Sequence, residues 1–160
     1  MTKPKDAGAA LDGRKGKKSR AVRIQYGALP YRTDKAGVLQ ILLVTTRRNG
    51  RWIIPKGWPI KGLTPKETAA REAYEEAGAR GDMKRQSIGV YGYEKLLDDK
   101  GITVSCEVKV FPLRVRRLEK VWPEHQQRVV RWFAATEAAA AVSELGLKEL
   151  IGLFAAKLVD

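Results

Sequence analysis

Residues 57–79 read GWPIKGLTPKETAAREAYEEAGA, and both ends of a helix are written into this stretch. Thr64-Pro65-Lys66-Glu67 is a capping box: Thr64 stands at the N-cap, Pro65 takes the first helical position, and Glu67 reaches back to the cap. Gly78 supplies the left-handed residue that stops the helix. Between them Ala70, Ala73, Tyr74 and Ala77 gather on one face. Glu72, Glu75 and Glu76 gather on roughly the opposite face, within an arc of about a quarter-turn or slightly more. Side chains so placed are about 5–6 Å apart. At an effective dielectric of about 20, two unit charges about 5 Å apart repel by roughly 3 kcal/mol. Either water screens this face or a cation belongs beside it.

The surrounding composition sharpens the question. Lys and Arg outnumber Asp and Glu by 31 to 18, for a formal charge of +13, so bases were available to interleave with the glutamates. Such a charge favours anionic partners: phosphates, nucleic acid or an acidic surface. At 160 residues, 44% apolar and 31% charged, the chain reads as one soluble domain with a core of its own. No apolar run approaches the roughly 18 residues needed to span a bilayer, so no membrane insertion is expected. Residues 1–20 are basic, rich in Gly and without periodicity. They read as a disordered tail without a secretory leader, able at most to touch RNA weakly, with the folded domain over 21–160. One cysteine, Cys106, cannot form an internal disulfide and reads as a small, half-buried strand residue, which favours the cytoplasm.

Outward from the helix, segments 21–30 and 38–46 are rich in β-branched and aliphatic residues, with TDKAG between them as a turn. RWIIP (51–55) is a short strand closed by proline. Residues 82–95 and 102–113 form a hairpin around DDKG, and RVVRWF (128–133) is a last strand. Two terminal helices follow. In the second, Leu147, Leu150, Ile151, Phe154 and Leu158 fall at helical spacing and are assigned to the core.

Upstream of the capped helix, PKGWPIKGLTPKE (55–67) holds two glycines and three prolines. A rigid loop of this kind brings backbone groups close to a ligand at the helix edge. Carboxylates on a helix together with loop carbonyls are hard oxygen donors suited to Mg²⁺ or Mn²⁺. With its spacing, residues 57–79 resemble the signature of the Nudix hydrolase superfamily, Gly-x5-Glu-x7-Arg-Glu-U-x-Glu-Glu-x-Gly-U, where U is a bulky aliphatic residue. Gly57, Arg71, Glu72, Glu75, Glu76 and Gly78 fill the required positions. The first signature glutamate is replaced by Leu63, and the two U positions are Ala73 and Ala79. Leu63 removes a residue that in relatives helps hold an additional metal, which implies a reduced metal complement.

The resemblance implies an α/β fold, the Nudix α/β/α sandwich with a mixed β-sheet and the signature helix packed on it. It implies divalent-metal-dependent attack of water on a diphosphate, with Mg²⁺ or Mn²⁺ as cofactor. Glu72, Glu76 and the Lys56 carbonyl are then the expected metal ligands. Glu75 is the expected base, with Glu124 as a loop alternative, and Arg71 is expected to orient a glutamate. Gly57 and Gly78 are structural. RRNGRWIIPKGWP and RVVRWF are similar to the diphosphoinositol polyphosphate phosphohydrolase branch, which implies phosphate-dense substrates: inositol pyrophosphates, dinucleoside polyphosphates or other nucleoside diphosphate derivatives. Arg23, Arg47, Arg48, Arg51, Lys61 and Arg131 are candidate phosphate contacts, with Arg128 beside them, because guanidinium forks suit phosphate. Two alternatives stand: an RNA 5′-end pyrophosphohydrolase using the tail and RVRR (114–117), or a non-catalytic module binding phosphate or RNA. A single histidine, His125, excludes a histidine-based metal site. The chain has no phosphate loop of the Gly-x4-Gly-Lys-Ser/Thr type, no paired-cysteine metal site, and nothing that specifies an oligomeric state.

Overall fold

The computed structural model describes residues 21–159; the tail expected over residues 1–20 lies outside them. The strands are β1 (Arg23–Thr33), β2 (Leu39–Thr45), β3 (Trp52–Ile53), β4 (Lys56–Gly57), β5 (Ala79–Met83), β6 (Gly89–Leu96), β7 (Thr103–Leu118) and β8 (Val130–Ala134). The helices are α1 (Pro65–Ala77), α2 (Ala135–Ala141) and α3 (Leu145–Val159). The strands form one eight-stranded sheet in the order β3-β2-β1-β7-β5, with β4 beside β1, β6 beside β7 and β8 beside β2. The pairs β1–β2, β1–β4, β2–β3, β2–β8 and β5–β7 are antiparallel.

The two-residue period of the strands sorts the core onto two faces. Leu29, Ile41, Leu43, Val108 and Val110 point to one side, where they meet Ala138, Val142, Leu147, Ile151 and Phe154 of α2, α3 and their junction. Ala28, Leu42, Val44, Phe111 and Leu113 point to the other and meet Ala69, Ala73 and Ala77 of α1. Helices therefore cover both faces of the sheet, as expected, and alanines let α1 lie close against it. Turns at 33–37 and 98–101 were legible for a shared reason. Asp34 Oδ1 accepts from Ala36 and Val38 N–H, each at 2.9 Å, and Asp98 Oδ1 accepts from Lys100 and Ile102 N–H at 2.9 and 3.1 Å. Gly37 and Gly101 close the two turns at φ 85° and 89°.

By packing, a large unit comprises Ile24–Tyr93 and the described residues from Glu107 onward, and a small one comprises Glu94–Cys106 with the described residues up to Arg23. Three expectations need correction. The strand expected over 82–95 is two strands, β5 and β6, parted at residues 84–88. There Lys84 and Ile88 N–H donate to the Pro112 and Val110 carbonyls at 2.9 Å each, so the backbone stays on β7 while leaving strand geometry. Leu158, assigned to the core by its spacing, is 47% exposed; helical spacing gives the stripe, and packing alone decides which of its residues are covered. Cys106, read as a half-buried strand residue, is fully buried.

Candidate active site

The helix forms as its sequence dictates. Thr64 Oγ1 accepts from Glu67 N–H at 3.2 Å, and Glu67 Oε1 accepts from Thr64 N–H at 2.9 Å. Gly78 closes the other end at φ 68°, donating its N–H to the Ala73 and Tyr74 carbonyls. Just upstream, Lys56 and Gly57 pair with Gly27 and Tyr26 of β1, which fixes the loop against the sheet. A Cβ placed on Gly57 would overlap the Glu72 carboxylate. The glycine thus lets a helix carboxylate press against the loop backbone beside the Lys56 carbonyl.

Glu76 departs from the sequence reading. The three glutamates do not share a solvated face: Glu76 is buried, alongside Ala69, Ala73 and Ala77. Each residue advances about 100° round a helix, so Glu76 borders the alanine stripe that packs on the sheet. Among the described residues its Oε1 has no hydrogen-bond partner, while Oε2 lies 3.6 Å from Arg128 Nη2. Burial raises the Glu76 carboxyl to about 8, and the charges of Glu72 and Glu124 add to the rise against the opposing pull of Arg128 and Lys56. Glu72 is also raised, first by burial and then by Glu75 and Glu124. The pair resists ionisation in the absence of further positive charge.

A segment distant in sequence completes this environment. Residues 119–128 dock on the end of α1 through carbonyls that the helix leaves unbonded. Trp122 Nε1 donates to the Glu76 carbonyl at 3.2 Å, Glu124 N–H to the Glu75 carbonyl at 3.0 Å, and Glu119 N–H to the Gly78 carbonyl at 2.8 Å. The Trp122 ring lies over Gly78, where a Cβ would meet it at 2.7 Å. Arg128, only 8% exposed at its side chain, then fans across the site. Its Nε donates to Glu124 Oε1 at 2.7 Å and its Nη1 to the Thr45 carbonyl at 2.9 Å. Arg128 was counted among phosphate contacts from sequence, and the structure instead engages it with protein groups. The bond of Trp122 to the helix end follows from no local signal in the sequence.

The remaining candidates divide. Glu75 is half-buried, and its side chain makes no hydrogen bond among the described residues. Arg71 is exposed and likewise bonds no described glutamate, so its expected orienting contact is absent. The Lys56 ammonium lies over the Tyr93 ring at 4.9 Å and within electrostatic reach of Glu76. Arg47 donates to Gln127 Oε1 at 3.0 Å, which brings it to the docked segment. Arg48 and Lys61 are exposed. Arg51 is drawn away to Glu144, 3.7 Å from its Nη1, and Arg131 stacks over Trp52 and Phe133 at 4.8 Å each. Arg23 is exposed at the start of β1, in the small unit. Of the RVRR run, Arg116 pairs with Asp82 at 2.6 Å and Arg117 with Glu119 at 3.1 Å, so two of its charges are matched.

No cluster of three or more His, Cys, Asp or Glu side chains arranged for a metal occurs among the described residues. The donor set is smaller: two carboxylates, one with an unpartnered buried oxygen, facing a loop backbone. That set fits a hard divalent cation that takes its other oxygens from carbonyl, water and phosphate.

The NUDIX domain family model matches residues 22–153. The chain is 31% identical over 132 residues to the chloroplastic Nudix hydrolase 21 of Arabidopsis thaliana, a match covering 80% of this chain and 64% of that protein. It is 35% identical over 102 residues to diphosphoinositol polyphosphate phosphohydrolase 3-alpha of Mus musculus, covering 62% of this chain and 57% of that one. A C. elegans Ap4A hydrolase binary complex superposes with a TM-score of 0.64 at 22% identity, over 86% of this chain and 98% of that one; at this identity the likeness concerns the fold. No described helix is long and apolar enough to cross a membrane.

Proposed function

The chain belongs to the Nudix family, and from that membership we propose that it is a divalent-metal-dependent pyrophosphohydrolase. Its substrate is a phosphate-rich small molecule: a dinucleoside polyphosphate, another nucleoside diphosphate derivative or an inositol pyrophosphate. The observation that carries this reading is the buried Glu76 carboxyl with an unpartnered oxygen, set beside Glu72 and the Gly57 loop. Glu72, Glu76 and the Lys56 carbonyl would hold Mg²⁺ or Mn²⁺. A bound ion of this kind neutralises phosphate charge and acidifies a water molecule.

The chain's own residues do the rest. Arg47, Arg48 and Lys61 are exposed bases flanking the loop and contact the phosphates; Arg51 and Arg131 contribute less, being held by Glu144 and by aromatic rings. Glu75 takes the proton from the attacking water as the new phosphorus–oxygen bond forms. The bridging phosphorus–oxygen bond breaks, and the leaving phosphate carries away its electron pair. Glu124 is the alternative base, but its Oε1 already accepts from Arg128, which leaves Glu75 the more available. The test is phosphate release from a panel of linked diphosphates with Mg²⁺ or Mn²⁺, in the unaltered protein and in Glu76→Gln. Turnover that needs the metal and is lost in the folded variant supports the reading. An unaltered protein that hydrolyses nothing, or a variant that hydrolyses as well, overturns it.

A further inference from the structure

Arg128 lies outside the signature and is largely enclosed, yet two hydrogen bonds and an ion pair from its guanidinium converge on the site. Its guanidinium spans Glu76 Oε2 at 3.6 Å, Glu124 Oε1 at 2.7 Å and the Thr45 carbonyl at 2.9 Å. Those partners come from three places: α1, the docked segment and β2. The segment is itself anchored independently of Arg128, by Val129 N–H to Thr45 Oγ1 at 2.9 Å and Thr45 N–H to the Val129 carbonyl at 3.0 Å. The sheet therefore fixes where the guanidinium stands, and the guanidinium fixes where two carboxylates stand. Arg71, the signature arginine, is exposed and bonds none of them.

We propose that Arg128 is the positioning residue of this site, orienting Glu76 and Glu124 by a forked contact that the signature arginine does not make here. The claim rests on the proposed hydrolase reading for its catalytic consequence, but its geometry stands apart from it. A planar fork with fixed N–H directions can serve three acceptors at once, and an ammonium on a flexible stem cannot hold the same directions. Arg128→Lys keeps the charge and removes the fork, which separates positioning from neutralisation. Groups that orient metal-side ligands typically matter by 10–100-fold.

Steady-state kinetics of Arg128→Lys should show kcat lower by about tenfold or more, with KM for the diphosphate within about twofold, because Arg128 acts through other residues. A raised KM with kcat intact would mean that Arg128 touches phosphate and would overturn the proposal, as would full activity with lysine. If the unaltered protein hydrolyses no diphosphate, the hydrolase reading falls by itself. The role of Arg128 is then decided by Mn²⁺ titration, where Arg128→Lys should weaken binding by about tenfold and unchanged affinity would overturn it. Should the variant not fold, arginine Nε–H exchange in the unaltered protein decides. The Arg128 signal should be the slowest of the hydrogen-bonded arginines and persist when Mg²⁺ is added; rapid exchange would contradict a fixed fork.

Discussion

A buried carboxyl group with one oxygen lacking a partner among the described residues is costly to ionise, and Glu76 is in that position. Raised from an ordinary 4.5 to about 8, it binds its proton more tightly folded than unfolded. The contribution to stability of the metal-free protein is therefore greatest below about pH 4.5 and declines as pH climbs towards 8. Glu72, raised for the same first reason, acts in the same direction; Arg128 moderates both, and Lys56 moderates Glu76. Denaturation of the metal-free protein across this window should show falling stability, and Glu76→Gln should flatten the slope. A slope unchanged in the variant would remove Glu76 as its source. Gly57 allows an equally direct test. Gly57→Ala pushes a methyl into the Glu72 carboxylate, and a displacement of about 1 Å at a reacting site can cost on the order of 10²-fold. We expect kcat/KM to fall at least tenfold with the far-ultraviolet dichroism unchanged. Gly57, Glu72 and Gly78 were legible in the sequence because short-range spacing and backbone freedom specify them. The burial of Glu76 was not, because a residue at the border of an apolar stripe is placed by what covers it.

Among the elements, α1 is the one whose local signals all agree. Its capping box forms on both sides, its alanine stripe meets the sheet, and Gly78 ends it in the left-handed conformation. Thr64→Ala should cost about 1 kcal/mol in urea denaturation, the usual worth of such a cap; no measurable loss would mean that tertiary packing alone sets the helix start. The strands were legible wherever apolar residues alternate between turns, as in β1 and β2. They were misread at 82–95, where β5 turns into a connection. There Lys84 and Ile88 stay against the Pro112 and Val110 carbonyls of β7 while the backbone leaves strand geometry. Such bonds depend on the partner strand and leave no mark in the local pattern. The docked segment 119–128 is the same case on a larger scale. Its bonds to Glu75, Glu76 and Gly78 join residues more than forty positions apart, and no spacing rule connects them.

For the molecule as a whole, the charge of +13 supplies long-range attraction for anions but not selection among them. At physiological ionic strength the field of an exposed base fades within about 8 Å, so bases flanking the loop matter to a bound polyphosphate far more than distant ones. Deleting residues 1–20 should leave kcat/KM for a small diphosphate substrate within about twofold at 0.15 M salt. A large loss confined to RNA 5′-diphosphate substrates, with a shallower salt dependence of binding, would favour the RNA reading instead. The sandwich was legible because its two apolar faces are inscribed in strand alternation and its helix in the signature. Substrate choice was not, because Arg51 and Arg131, indistinguishable from Arg47 in sequence, are turned to Glu144 and to aromatic rings by the folded chain.

The central claim is that Glu72 and Glu76 are kept together by a divalent ion. Calorimetric titration of Mn²⁺ into the protein at pH 7, repeated in two buffers of different ionisation heat, tests it most directly. The account predicts saturable binding that releases protons, since the Glu76 carboxyl, raised to about 8, must give up its proton to bind the ion, and its loss in folded Glu76→Gln. Binding that releases no proton and is as tight in the variant as in the unaltered protein would contradict it.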